Sequence, residues 1–206
     1  MTNLSKRIYT SLILLTIFFL SIYNNLILFL LLIFCFFQIF YEFFNLLNII
    51  FKNNKKNYLY FFLFLILLFL TYLFSFIWFS YNSSDELSKL FLFLLISASI
   101  STDIGGFVFG KIFKGKKLTK ISPNKTYSGM IGSYLTSLLI VYLFFKNFID
   151  IQTLLLITFF VSTISQLGDL FISYLKRKAK LKDTGTIFPG HGGILDRFDG
   201  LIFVLT

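Results

Sequence analysis

Long apolar runs separated by short polar segments occupy most of this sequence. The run over residues 58–80 is the clearest, because it carries no charge over a length that crosses the hydrocarbon core of a bilayer. Within lipid, such runs satisfy their backbone hydrogen bonds as helices, so the pattern predicts an all-α, polytopic transmembrane bundle of about six to seven spans. The six runs that predict spans are residues 8–22, 26–40, 58–80, 90–101, 130–145 and 151–167.

The two ends of the chain leave the number of spans open. Two basic residues precede the run 8–22 and would also suit a signal peptide, but no small-residue cleavage site follows it. We therefore expect a retained helix that forms a hairpin with residues 26–40, whereas residues 41–50 are at best amphipathic. The apolar run over residues 201–205 is too short to cross a bilayer. The last helix is therefore either shortened or has an apolar stretch that continues from Ile194.

The composition agrees with a lipid-embedded chain. Hydrophobic residues make up 57% of the 206 residues, and the 31 Phe and 11 Tyr exceed what a soluble core of this size could bury. We expect one membrane domain over residues 1–206, with N-terminal helices in 1–100 and the catalytic portion in 101–206. Cys35 is the only cysteine, which excludes a disulfide within one chain and favours a buried, inert thiol.

The basic residues that give the chain its net charge of +10 lie at the ends of the predicted spans. This placement favours membrane topology and anionic headgroups over nucleic acid as the reason for the charge. Alternating spans bring 17 of the 19 basic residues to one side, predicted to be cytoplasmic by the positive-inside rule. The stretches on that side are the N-terminus and residues 51–57, 103–128 and 171–199.

Charged residues, glycines and a lone histidine are dense between Ser173 and Asp199. Just before this segment, Asp169, Ser173 and Lys176 follow at helical spacing, so one helix face would carry a carboxylate, a hydroxyl and an ammonium group. That face could hold a metal ion and a phosphate together. The alternative is a membrane-edge helix with a charged end.

A glycine-rich stretch follows at residues 189–193, where backbone N–H groups could cradle an anion. His191 could donate to a phosphate or cap the turn. Asp196 and Asp199 are three residues apart and would meet on one helix face, which suits Mg²⁺. The alternative is that Asp196 and Arg197 only anchor the topology.

A second polar cluster lies between Asp103 and Gly132. Its glycines could allow the backbone to approach phosphates, while its lysines would neutralise their charge. No Walker A string occurs, and the alternative is a basic loop that attracts anionic lipid. The lysines in question are Lys111, Lys116 and Lys125.

These motifs resemble the signature of the phosphatidate cytidylyltransferase (CDP-diacylglycerol synthase) family, in order and spacing. The resemblance covers about residues 95–206 and includes the block Ser122-Pro123-Asn124-Lys125-Thr126. The signature residues are Ser173, Lys176, Arg177, Lys182, Asp183, Pro189, His191, Gly192, Gly193, Asp196, Arg197 and Asp199.

The resemblance implies a dimeric membrane enzyme that joins CTP and phosphatidic acid into CDP-diacylglycerol and pyrophosphate. It implies Mg²⁺, with room for a second, monovalent cation, and a bacterial inner membrane with the site facing the cytoplasm. The metal ligands it implies are Asp169, Asp196 and Asp199. The other catalytic residues are Lys176, Arg177, Lys182, Asp183, His191 and Arg197. Those expected to bind substrate are Asp103, Lys111, Ser122, Lys125, Thr126, Ser173, Gly192 and Gly193.

Two departures from the family pattern fall between Asp103 and Gly129, a stretch here called the first block. Asp103-Ile104-Gly105-Gly106 replaces Asp-Thr/Ser-Gly-Ala, and Tyr127-Ser128-Gly129 lacks the usual Glu. The chain also ends soon after the signature, which predicts a minimal or truncated form.

Three other functions compete with this one. A related CTP-dependent membrane transferase would act on another lipid phosphate or a polyprenol, because nothing in the apolar runs specifies two acyl chains. A small cation transporter is suggested by Asp103 and Asp169 at span ends. An inactive membrane scaffold is suggested only by the altered first block.

Overall fold

The computed structural model of the protein describes residues 13, 16, 20, 25–52, 55–81, 86–119, 122, 125–185, 187 and 192–205. Helices dominate these residues, and a single antiparallel bridge between Lys117 and Thr126 is the only β pairing in that part of the chain. The predicted all-α class is confirmed there. The helices are α1 (Asn25–Ile50), α2 (Lys55–Tyr81), α3 (Glu86–Phe113), α4 (Tyr127–Phe145), α5 (Ile151–Lys178) and α6 (Leu195–Leu205).

Four segments of the described chain are long and apolar enough to cross a membrane. These are Ile33–Ile50, Glu86–Phe113, Tyr127–Phe145 and Ile151–Lys178, and α2 contains a shorter apolar stretch, Asn57–Leu73. Many large apolar side chains on these helices are exposed, including Phe37, Phe107 and Phe144, as lipid contact requires. The protein is therefore a membrane protein. The span predicted at residues 8–22 lies almost wholly outside the described residues.

Several helices extend beyond the ends that the apolar pattern predicts. The second span was expected to end near residue 40, but α1 continues to Ile50 because Phe43, Leu46 and Leu47 form a buried stripe at helical spacing. The fourth span was expected to end near Ser101, but α3 continues to Phe113. The predicted loop over residues 103–128 therefore begins only after residue 113. α6 starts at Leu195 and has 11 residues, of which Asp196, Arg197 and Asp199 are charged, so it agrees with a shortened last helix rather than with an apolar span from Ile194.

The chain divides into two compact units. The first unit combines residues 1–65 with 175–198, and the second combines residues 66–174 with 199–206. The expectation of one membrane domain with its catalytic portion after residue 100 stays a prediction.

In the first unit, buried side chains come from α1 and from the segment 175–198. Leu46 and Leu47 of α1 are buried, as are Leu175, Ile194 and Leu195. Next to this core, the ammonium group of Lys178 lies 4.7 Å from the ring centroid of Phe51. Cys35 is buried in α1 with a free thiol, as predicted.

In the second unit, α3 and α4 approach each other through glycines. A Cβ atom at Gly105 would lie 2.7 Å from the carbonyl oxygen of Gly132, and one at Gly129 would lie 2.7 Å from that of Gly106. Side chains at these positions would therefore force the helices apart. Close packing of α3 on α4 is thus one reason for glycine at positions 105 and 106, whereas the expected approach of their backbone to phosphates stays a prediction.

Hydroxyl groups join α3 to its neighbours in the same unit. Ser99 and Ser165 are 3.1 Å apart, and Thr102 donates to Ser162 at 3.0 Å. Ser133 of α4 donates to the carbonyl oxygen of Thr102 at 2.7 Å. The hydroxyl groups of Ser99 and Thr102 thus face protein. These bonds lie beside an apolar core that includes Leu94, Leu95, Ala98, Val141, Phe145, Leu154 and Val161.

Candidate active site

The first unit contains a cluster of polar groups around the carboxylate of Asp196, here called the Asp196 cluster. Lys176 donates to Oδ1 of Asp196 at 2.8 Å, and the backbone N–H groups of Thr184 and Gly193 donate to Oδ2 at 2.8 and 2.9 Å. The Thr184 hydroxyl lies 3.0 Å from the same Oδ2. The side chains of Lys176 and Asp196 are only 12% and 6% exposed. The cluster is therefore a mostly buried ion pair in which Oδ2 accepts hydrogen bonds from Thr184 and Gly193, while Oδ1 accepts one from Lys176.

The end of α5 brings this cluster together. The N–H of Leu181 donates to the carbonyl of Lys176 at 2.9 Å, and that of Lys180 to Arg177 at 3.0 Å. Lys180 has a φ of 58°, so the helix ends in a Schellman motif with lysine at the left-handed position. This motif reverses the chain after Lys176 and allows Thr184 to return to Asp196.

Two glycines allow the close approach of backbone to carboxylates in the first unit. Gly192 has a φ of 85°, and a Cβ atom there would lie 2.7 Å from Oδ2 of Asp196. A Cβ atom at Gly193 would lie 2.1 Å from Oε2 of Glu42. Gly192 and Gly193 therefore allow the backbone to approach protein carboxylates, and the predicted approach to a ligand anion stays a prediction. Pro189, Gly190 and His191 lie outside the described residues.

The environment of Asp196 favours its charged form. Burial by itself raises the pKa of the carboxyl group, but the hydrogen bonds from Lys176, Gly193 and Thr184 and the charge of Lys176 outweigh that effect. The net result is a pKa below the ordinary value of 3.8. Asp196 is thus an anion at neutral pH.

The second unit contains another lysine–carboxylate cluster, here called the Asp169 cluster. Lys125 forms an ion pair with Oδ2 of Asp169, and Ser173 donates to Oδ1 at 3.3 Å. Asp103 lies close enough for the charges of Asp169 and Lys125 to act on its carboxyl group. The side chains of Lys125 and Asp169 are 25% and 26% exposed, so this cluster is more accessible than the first. Of the three residues predicted to share one helix face, Asp169 and Ser173 are in contact, as predicted, whereas Lys176 pairs with Asp196.

A short β bridge holds Lys125 in place. The N–H of Leu118 donates to the carbonyl of Lys125 at 2.8 Å, and that of Tyr127 donates to Lys116 at 3.0 Å. Thr126 then caps α4 by accepting a hydrogen bond from the N–H of Gly129 at 3.1 Å. The loop before α4 therefore orients Lys125 through backbone contacts, and the described bond of Thr126 is a helix cap.

The other predicted site residues differ in their exposure and in their contacts. Arg177 is exposed and donates to the carbonyl of Leu181 at 3.4 Å, and Lys182, Asp183 and Arg197 are also exposed. Lys111 lies 5.7 Å from the ring centroid of Phe107 on α3, and the N–H of Ser122 donates to Thr119. Asp199 shares α6 with Asp196, as predicted, and accepts from the N–H of Gly200 at 3.0 Å. Their roles toward substrate stay predictions.

The oxygen donors fit a Mg²⁺ ion that keeps water and substrate oxygens in its shell. Mg²⁺ is commonly held by one or two carboxylates together with phosphates. In the second unit, Asp169 is such a carboxylate and is paired with Lys125. No group of three or more Asp, Glu, His or Cys side chains converges among the described residues. The described residues therefore suit an ion that substrate completes rather than a closed protein cage.

Two members of the Asp196 cluster were missed in the sequence. Thr184 follows the predicted Lys182 and Asp183, but hydroxyl residues are too common to stand out. Glu42 accepts from the Thr184 hydroxyl at 2.7 Å, although it lies more than 140 residues away along the chain. A signal for it did exist, because Glu42 is the only charged residue of α1.

The described structure thus defines an all-helical membrane protein with two lysine–carboxylate pairs, one of which, Lys176–Asp196, lies beside Gly192 and Gly193. Such sites are suited to charged phosphate groups. The chain belongs to the cytidylyltransferase family, whose sequence pattern matches residues 47–206.

Similar curated proteins carry the name phosphatidate cytidylyltransferase. One from Staphylococcus haemolyticus is 47% identical over 135 residues, which cover 63% of this chain and 51% of that protein. One from Rickettsia conorii is 41% identical over 131 residues, covering 58% of this chain and 56% of that protein. The chain thus matches about half the length of these relatives.

Proposed function

We propose that this protein is a phosphatidate cytidylyltransferase that converts CTP and phosphatidic acid into CDP-diacylglycerol and pyrophosphate. The observation that carries the proposal is the Asp196 cluster, a mostly buried Lys176–Asp196 pair beside a glycine-rich turn in a membrane protein of this family. The names of the bacterial relatives support the choice of phosphatidate as acceptor.

The proposed reaction is a nucleotidyl transfer at the α-phosphorus of CTP. A phosphate oxygen of phosphatidic acid attacks that phosphorus, and a new P–O bond forms. The bond from the α-phosphorus to the bridging oxygen breaks, and pyrophosphate leaves with the electron pair. The attacking phosphate is already ionised, so the reaction requires no strong general base. Catalysis then depends on positioning and charge neutralisation.

Lysines and carboxylates of the two clusters have complementary roles in this proposal. Lys125 and Lys176 are the cations that neutralise substrate phosphates, assisted by the exposed Arg177, Lys182 and Arg197. Asp169, Asp196 and Asp199 are the proposed Mg²⁺ ligands, and a second, monovalent cation is part of the proposal. Mg²⁺, when bound, would supply positive charge to the triphosphate and to the leaving pyrophosphate.

The membrane arrangement follows from charge. The basic loops after α1, α3 and α5 are proposed to face the cytoplasm of a bacterial plasma membrane, in a chain of six to seven spans. CTP would then arrive from water and phosphatidic acid from the lipid.

The homodimer implied by the family resemblance is part of the proposal, and native mass spectrometry of the detergent-solubilised protein tests it.

The decisive experiment uses purified protein and CTP labelled at either the α- or the γ-phosphorus. With phosphatidic acid and Mg²⁺, the α-label should enter a CDP-lipid while the γ-label is released in pyrophosphate, one molecule for each lipid formed. A chelator should abolish transfer.

Other acceptors identify the competing functions in the same assay. Transfer of the α-label only to a different lipid phosphate would contradict the assignment of phosphatidic acid. Appearance of the γ-label in a polyprenol would indicate a kinase instead. Cation flux into liposomes without any CTP turnover would contradict an enzymatic function altogether.

A further inference from the structure

Glu42 is a buried carboxylate in the membrane-spanning part of α1. It is 2% exposed and is the only charged residue among the 26 residues of that helix. It also precedes the part of the chain that matches the family pattern, residues 47–206. A carboxylate in such a position is costly unless its oxygens are bonded.

The oxygens of Glu42 accept hydrogen bonds from the start of α6. The N–H of Ile194 donates to Oε1 at 3.0 Å, and that of Leu195 donates to Oε2 at 3.0 Å. The first N–H groups of a helix have no partner within the helix, and its N-terminus favours negative charge. Glu42 therefore caps α6 from another helix.

Thr184 connects this cap to the Asp196 cluster. Its hydroxyl lies 2.7 Å from Oε2 of Glu42 and 3.0 Å from Oδ2 of Asp196, and its single proton can be donated to only one of them at a time. Gln38 donates to the other oxygen of Glu42 at 3.2 Å. All these residues belong to the first unit.

The backbone around Glu42 has no room for side chains. A Cβ atom at Gly193 would lie 2.1 Å from its Oε2, and one at Gly185 would lie 2.8 Å from its Oε1. Both glycines lie in the segment that leads into α6 and Asp196. The segment is thus shaped to the Glu42 carboxylate. A smaller or apolar side chain at position 42 would leave N–H groups of this segment without an acceptor.

We propose that Glu42 is a positioning residue for the reaction: it holds the first turn of α6, and through it the carboxylate of Asp196, in the geometry that turnover requires. The proposal rests on the proposed cytidylyl transfer for its effect on rate. Its structural part, the capping of α6 by Glu42, does not depend on which reaction the protein catalyses.

The test replaces Glu42 by glutamine in the full-length protein, in micelles that contain phosphatidic acid. The amide nitrogen of glutamine would face N–H or O–H donors, so the first turn of α6 should loosen. We expect kcat to fall about 10- to 100-fold, as when a second-layer partner of an active-site ligand is removed. The KM for CTP should change far less, because the proposal gives Glu42 no contact with substrate. Hydrogen exchange of the Ile194 and Leu195 amides should accelerate, while exchange in α4 stays unchanged.

The matched control is Glu86→Gln, which alters the only other glutamate of the chain, an exposed residue in the first turn of α3. This variant should keep wild-type turnover. Wild-type kcat in Glu42→Gln would overturn the proposal, as would a lower kcat with unchanged exchange at residues 194 and 195.

Thr184→Val decides the outcome if Glu42→Gln does not fold. This variant removes the hydroxyl between the two carboxylates but keeps both bonds from Glu42 to α6. A lower kcat with slow exchange at residues 194 and 195 supports the connection through Thr184, and wild-type kcat overturns it. If the wild-type protein makes no CDP-lipid from phosphatidic acid, the proposed function fails, and the exchange data still test the cap.

Discussion

Asp196 and Asp169 are both carboxylates paired with a lysine, but their surroundings differ. Asp196 accepts from Lys176 and two backbone N–H groups and is nearly buried. Asp169 has an ion pair with Lys125 and one hydroxyl donor, and about a quarter of its side chain is exposed. Asp169 is therefore the more accessible oxygen donor for an incoming cation, whereas Asp196 also stabilises the local fold.

The replacement Asp169→Asn tests the accessible carboxylate. Because asparagine has the same size but no charge, we expect turnover to fall about 100-fold or more while the protein stays folded in the membrane. The measurement is the labelled-CTP assay. Asp150→Asn is the control, since Asp150 accepts from the N–H of Thr153 at the start of α5 and asparagine caps helices as well as aspartate does. Full activity in Asp169→Asn would contradict its role as a metal ligand.

The pH dependence of stability tests the Asp196 cluster. The pKa of Asp196 is lower in the folded protein than its ordinary value of 3.8, so its charge stabilises the fold above that pH. This contribution is lost as the pH falls through the folded-state pKa. We expect Asp196→Asn to lower the free energy of unfolding by about 2 kcal/mol near neutral pH, since it removes a charged acceptor.

Thermal unfolding of the wild-type protein and Asp196→Asn in detergent provides the measurement. The difference between their melting temperatures should be present at pH 6 to 7 and shrink below the ordinary carboxyl pKa. A difference that stays constant down to about pH 3 would contradict a lowered pKa for Asp196.

The helices illustrate what an apolar pattern specifies and what it omits. It located the middle of α1, α3 and α5 because lipid-facing and buried residues are apolar alike. It did not locate their ends, since α3 continues through Asp103 and Gly105 by packing on α4. This packing is one reason for glycine at positions 105 and 106, and no local pattern reveals it.

The glycine contact between α3 and α4 leads to a prediction for Gly105→Ala. The new Cβ atom would meet a backbone oxygen at 2.7 Å, which cannot move aside as a side chain can. We expect a loss of about 1 to 3 kcal/mol in the free energy of unfolding, measured by thermal unfolding in detergent.

Gly110→Ala in the same helix is the comparison. Its Cβ atom would lie 3.1 Å from the Thr126 hydroxyl, and alanine favours the helix, so the stability should change by less than about 1 kcal/mol. Equal stability of the two variants would contradict close packing at Gly105.

At the scale of the whole molecule, the basic loops predict the orientation in the membrane. Lys117 lies in the loop after α3 and Lys89 near the start of α3, and both are exposed. With Lys117 on the cytoplasmic side, Lys117→Cys should react with an impermeant maleimide only after bacterial cells are permeabilised. Lys89→Cys should react in intact cells.

The parent protein is the blank for this experiment, because its single cysteine, Cys35, is buried. Reaction of Lys117→Cys in intact cells, with Lys89→Cys protected until permeabilisation, would mean that the orientation is inverted.

Much of the candidate site could be predicted from short spacings. Asp169 and Ser173 were placed on one face of a helix by their separation of four residues, and the contact between them is present. Asp196 was singled out by its neighbours in the signature. The partners Lys125 and Thr184 could not be assigned to their carboxylates, because separations of 44 and 12 residues carry no geometric information until the chain has folded.

The sequence by itself determined the class of this protein, since apolar runs of span length can only be helices in lipid and the signature residues are consecutive enough to be recognised. Tertiary structure alone decided which donor meets which carboxylate. Glu42 shows the reason: in α1 it is one acid in an apolar run, and only folding brings the free N–H groups of α6 to it. Hydrogen bonds between distant segments depend on packing, and packing is a property of the folded chain.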